Sequence, residues 1–103
     1  MAQTGALRAG TVMWVPCDVH TGMFPFERQV TIHVRGQSQE TIAGYVPQED
    51  TNCVNDQCFV RTVVFGPVNH KDIGLILRGD ILSQSNPVVV PKKWLQEVGR
   101  KVI

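Results

Sequence analysis

Sixteen valines, six isoleucines and seven threonines stand against five leucines and four alanines in this chain. Side chains branched at Cβ are stiff at χ1 and sit well on pleated backbone, whereas helices draw on Leu, Ala, Glu and Lys. The bias predicts a domain that is all-β or nearly so. The residue order agrees. Between Arg28 and Arg35, Val30, Ile32 and Val34 alternate with Gln29, Thr31 and His33, the pattern of a strand with one dry and one wet side. Further strands are expected over Thr11 to Val15, Thr41 to Val46, Cys58 to Phe65, Ile73 to Leu77 and Val88 to Val90. Turn-forming residues separate them at Gly36-Gln37-Ser38, Gly66-Pro67 with Asn69, Gly79-Asp80 and Asn86-Pro87. Short strands at such spacing predict a small barrel or sandwich.

One segment departs from the β period. In Pro91 to Val98 the apolar residues Trp94, Leu95 and Val98 fall on one helical face. Pro91 suits a first helical position, and Gly99 stands where a helix end often takes a left-handed residue. A helical turn is expected here, with Trp94 plugging one end of the barrel and a last short strand running to Ile103.

With 103 residues the chain is long enough for one core without staples. Its 43% hydrophobic residues and net charge of +1 exclude intrinsic disorder, and nucleic-acid binders held mainly by counterion release are far more basic. No apolar run approaches the length of a membrane span. Met1 to Thr11 holds no continuous apolar stretch of the secretory kind, and three cysteines, an odd number, make no disulfide framework. The expected setting is the cytoplasm.

The phrases Gly44-Tyr45-Val46-Pro47 and Val90-Pro91-Lys92-Lys93-Trp94-Leu95 resemble those of bacterial SH3-like domains. The resemblance implies an SH3-like barrel of five to six short strands with a helical turn before the last. In that class the first long loop commonly borders the binding groove. A narrower stretch, Arg8 to Val15, resembles the opening strand of the Kid/MazF-like toxin ribonucleases, which are also small barrels. That family places Arg-Pro before its next strand, where this chain has Glu27-Arg28-Gln29. The likeness implies an RNA-acting barrel, with Arg28 and the basic residues Lys92, Lys93, Arg100 and Lys101 on phosphates. Stacking would then need an exposed face on Trp94, Phe59, Phe65 or Tyr45.

Three constellations carry chemistry. Cys17-Asp18-Val19-His20 and Cys53 to Cys58 together supply three thiolates and one imidazole, a legitimate tetrahedral zinc set if two loops meet. The same cysteines also fit small buried hydrophobes, or a Cys53–Cys58 disulfide flanking an Asn55-Asp56 turn. Cys17, Asp18 and His20 hold the minimum for a thiolate nucleophile, but neighbours in sequence do not generally face one another, so no catalytic residue is assigned. The third constellation is Met23, Phe24 and Phe26, three large apolar side chains in an expected loop. They either fold back over the core or stay exposed as a partner surface. The acidic segment Gln48-Glu49-Asp50 with Asp56 reads as a solvated face, and the Arg78-Gly79-Asp80 tripeptide as a turn. The functional expectation is a non-catalytic binding module that contacts a protein partner or itself through Trp14, Met23, Phe24, Phe26 and Tyr45. A small ligand is a further option, and no cofactor is expected outside the zinc reading.

Overall fold

The alternation at Val30, Ile32 and Val34 is realised in the folded chain: each is 1% exposed, while His33 and Arg35 face solvent. The computed structural model describes residues 7–35, 41–81 and 87–102. The turn at Gly36 to Ser38, Asn86 and the final Ile103 lie outside the described residues. The elements are β1 (Val12–Thr21), β2 (Glu27–His33), β3 (Thr41–Pro47), β4 (Thr51–Val54), β5 (Gln57–Pro67), β6 (Asp72–Ile76), β7 (Asp80–Ile81), β8 (Val88–Pro91) and the helix α1 (Lys92–Val98). The fold is mainly β: a curled antiparallel sheet forming a small barrel, ordered β7-β3-β2-β1-β5-β6-β8, with β4 beside β5.

Strand β1 is the seam of the curl. Its first half, Val12 to Cys17, pairs with β5, and its second half, Asp18 to Thr21, pairs with β2 on the other edge. Near its start, that other edge is taken by Arg100, which exchanges two backbone hydrogen bonds with Trp14 (2.6 and 2.8 Å). The expected C-terminal strand is therefore, among the described residues, a single bridge. The long strand β5 carries β1 on one edge, and β4 then β6 in succession on the other, with a bulge between Val64 and Gly66.

Period-two alternation sends Met13 and Val15, Val30 and Ile32, Ile42 and Val46, and Val60 and Val64 into one interior with Ile73, Leu75, Val88 and Val90. Thr62 shares that interior at 0% exposure, and its hydroxyl donates to the Met13 carbonyl at 2.7 Å, so the polar group is satisfied. Helix α1 closes one end, with Trp94 5% and Leu95 0% exposed, as the sequence pattern predicts.

Both helix ends differ from expectation. Pro91 is the residue before the helix, in extended backbone (φ −64°, ψ 135°), and Gly99 is extended too (φ −71°, ψ 148°) rather than left-handed. Gly99 is needed for closeness instead: a Cβ there would approach the Met13 Cε and the Leu95 carbonyl oxygen. At Gly79 conformation and closeness both act. Its φ of 145° disfavours any side chain, and a Cβ would meet the Tyr45 carbonyl oxygen.

The acidic segment after β3 is not a solvated face throughout. Asp50 is 2% exposed and accepts two hydrogen bonds from Arg78, Nε at 3.0 Å and Nη2 at 2.9 Å. Exposed Glu49 accepts a third at 2.8 Å. These bonds, Asp50 first, hold the Arg78 guanidinium above its ordinary pKa. Arg78→Ala strands a buried carboxylate, whereas Glu49→Ala removes an exposed one. Thermal unfolding of the two variants is expected to show a clear drop in Tm for Arg78→Ala and almost none for Glu49→Ala.

Candidate functional site: an apolar hairpin tip

The turn between β1 and β2 presents its side chains outward on a tied backbone. Met23 N–H donates to Glu27 Oε1 at 3.0 Å, and Glu27 N–H to the Phe24 carbonyl at 3.0 Å. Arg28 Nη1 donates to the Pro25 and Glu27 carbonyls, both at 2.9 Å, and Gln48 N–H to the Phe26 carbonyl at 2.8 Å. These bonds tie the tip backbone to its own flanks and to Gln48 after β3. Met23, Phe24 and Phe26 remain 76%, 53% and 69% exposed. The rings of Phe24 and Phe26 stack on each other, centroids 5.9 Å apart and planes 10° from parallel. Of the two sequence readings of this segment, the exposed one describes the fold.

Beside the tip lies a groove of about 450 Å³, lined by Val19, Phe26, Arg28, Gln48, Glu49, Thr51 and Cys53. Tyr45, half-buried, stands opposite Gln29 on β2, close to the tip. Trp14 does not join this patch. It lies seven residues before Thr21 on β1, roughly 23 Å away at about 3.3 Å per residue, and is half-buried beside Arg100.

The basic residues divide in the same way. Arg28 sits at the tip, tied to carbonyls, while Arg100 pairs with Trp14 at the opposite end of β1. Lys92 and Lys93 begin α1, and Lys101 follows the bridge. Arg28 is therefore far along β1 from Arg100 and does not join the C-terminal basic residues in one surface. Trp94 and Phe59 are 5% and 4% exposed and offer no stacking face; Phe65, at 56%, does.

Three of the four proposed zinc ligands, Cys17, Cys58 and Cys53, fall on neighbouring strands in register, but His20 does not join them and two of the thiols are consumed in a disulfide. Cys17 and His20 lie on a strand, not in a loop, and a spacing of three sends them to opposite faces of β1. Cys53 and Cys58 are bonded to each other, across the tight Asn55-Asp56 turn whose residues both have positive φ (51° and 67°). Among the described residues no cluster of three His, Cys, Asp or Glu side chains is placed to hold a metal ion. The nucleophile reading fails on the same geometry: Asp18 instead faces His33, Oδ2 to Nε2 at 2.9 Å, on the exposed side of the strand. Cys17 is free and half-buried. Burial, with the Asp18 carboxylate adding to it, pushes its thiol up to about 12.

One apolar strip was not anticipated: Phe65 and Ile76, 56% and 36% exposed, on the outer side of the β5–β6 pair. Its sequence signal is Gly74 inside an apolar strand, since Phe65 and Pro87 pack over the space a side chain would fill. Among the described residues no helix is long and apolar enough to cross a membrane. Comparisons with protein-family models, curated proteins and solved structures find no match to this chain.

Proposed function

We propose that this protein is a non-catalytic, cytoplasmic binding module of the SH3-like barrel type that self-associates through its β1–β2 hairpin tip. The observation that carries the reading is the tip itself: three large apolar side chains more than half exposed on a backbone locked by its own hydrogen bonds. A rigid apolar surface loses little conformational freedom on docking, and exposed apolar clusters mark contact sites. A second copy is the favoured occupant because the patch is complementary to itself. It has a projecting ring pair beside a groove that Phe26 itself lines, so the pair of one copy can dock beside the groove of the other about a two-fold axis.

The test is sedimentation equilibrium across a concentration series. The native chain is expected to dimerise. The double variant Phe24→Ser/Phe26→Ser is expected to raise the dimer Kd by about 1,000-fold or more, since buried aromatic anchors contribute about 2 kcal/mol or more each. Its monomer should keep a native unfolding transition, because exposed positions carry little fold stability. A native chain that stays monomeric to millimolar concentration would sink the proposal, as would a variant that loses cooperative unfolding.

A further inference from the structure

Cys17, Cys58 and Cys53 occupy one rung of the sheet. Cys17 on β1 is the register partner of Cys58 on β5, and Cys58 is the register partner of Cys53 on β4. Directly opposed residues project to the same face with Cβ atoms about 5 Å apart. Cys58 is therefore bonded to Cys53 on one flank and has the free Cys17 as its register partner on the other. Thiol–disulfide exchange requires that order of attacking, central and leaving sulfur.

The backbone admits either bond. Trp14 directs its N–H and C=O to Arg100, away from β5. Alternation along β1 then turns those of Cys17 toward β5, making Cys17 and Cys58 a hydrogen-bonded pair with Cα atoms about 5.5 Å apart. That lies inside the usual Cα range for a disulfide of about 4.4 to 6.8 Å, and the Cβ atoms, about 5 Å apart, close by roughly 1 Å to make the bond. Cys17 and Cys58 also line one open hollow of about 220 Å³ with Asp18, His33 and Asp56, the titratable groups that face it from β1, β2 and the β4–β5 turn.

We propose that the three cysteines form an internal exchange relay that moves the disulfide from Cys53–Cys58 to Cys17–Cys58 and delivers a free thiol to Cys53. Cys17 gives its proton to solvent, and its sulfur attacks Cys58 Sγ. The Cys17–Cys58 bond forms as the Cys58–Cys53 bond breaks. The electron pair leaves on Cys53, which takes up a proton from solvent. One disulfide and one thiol stand on each side, so no oxidant or reductant is consumed. The step carries the reactive sulfur from a half-buried site to an exposed one that lines the groove beside Phe26. It also suits a cytoplasmic setting, where disulfides are usually transient or sensing rather than structural. The geometry holds whether or not the tip docks a second copy.

Full-length protein is incubated with iodoacetamide at neutral and mildly alkaline pH, quenched in acid, and mapped by mass spectrometry. Cleavage between Asn55 and Asp56 separates Cys53 from Cys58. The expected product is a chain alkylated at Cys53 with Cys17 bonded to Cys58, in higher yield at the alkaline pH. It should be absent in both Cys17→Ser and Cys17→Val, two replacements of which at least one should fold. Alkylation confined to Cys17 with Cys53–Cys58 intact at every pH overturns the relay. Equal alkylation of Cys53 with and without Cys17 overturns it too, because the thiol then arises by an external route.

Discussion

At pH 8, brief alkylation of the folded protein is expected to modify Cys17 on the order of a thousandfold more slowly than an unfolded control. The thiolate is the reacting species, and raising the thiol from 9.0 to about 12 lowers its population about tenfold per unit. The same shift links to stability. The folded state holds this proton more tightly than the unfolded state, so the contribution is complete below about pH 9 and is lost as pH rises toward 12. By pH 10.5 the loss amounts to about 2 kcal/mol at about 1.4 kcal/mol per unit. The reading is the difference from Cys17→Val, whose alkaline slope should be shallower by that amount. Denaturant melts at pH 8 and 10.5 supply it. Equal slopes would mean that the Cys17 site is wetter than its packing against the core implies.

Leu95→Ala is expected to cost about 3 to 5 kcal/mol. Leu95 is wholly buried and, with Trp94, forms the lid that α1 lays across the open end of the sheet. Few neighbours there can collapse into the space, because the lid meets strands whose positions are set by ladder bonds. Small domains hold only about 5 to 15 kcal/mol in all, so urea unfolding should shift its midpoint steeply downward with little change in slope. A cost below about 1 kcal/mol would show that α1 is an appendage rather than part of the core. The contrast with the hairpin tip is the useful one. Phe24 and Phe26 are larger than Leu95, yet their removal is expected to leave the fold intact and change association alone.

Much of the fold was legible because alternation is a local signal. Val30, Ile32 and Val34 declare the dry face of β2 without reference to any other strand, and Trp94, Leu95 and Val98 declare the inner face of α1. The β4–β5 turn was also visible, since Asn and Asp accept the positive φ that Asn55 and Asp56 adopt. Less legible was the length of β1, whose stretch from Pro16 through Asp18 to His20 imitates a loop. That misplacement suggested a metal site, because loop residues three apart can converge and strand residues three apart diverge. The Asp50–Arg78 pair had no sequence signal, its members being 28 residues apart and each ordinary in its own segment.

From the sequence alone came an all-β chain with a helical plug, a cluster of large apolar residues between the first two strands, and three cysteines free to be bridged, buried or ligating. Tertiary structure alone decided which of these faces water and which sulfurs meet. Met23, Phe24 and Phe26 stand exposed on a tip whose backbone is tied by hydrogen bonds with Glu27, Arg28 and Gln48. The alignment of Cys17, Cys58 and Cys53 follows from the registers of two separate strand pairs. Local periodicity is written in neighbouring residues. Register is set by how whole strands pack their dry faces together, and no short stretch of sequence contains it.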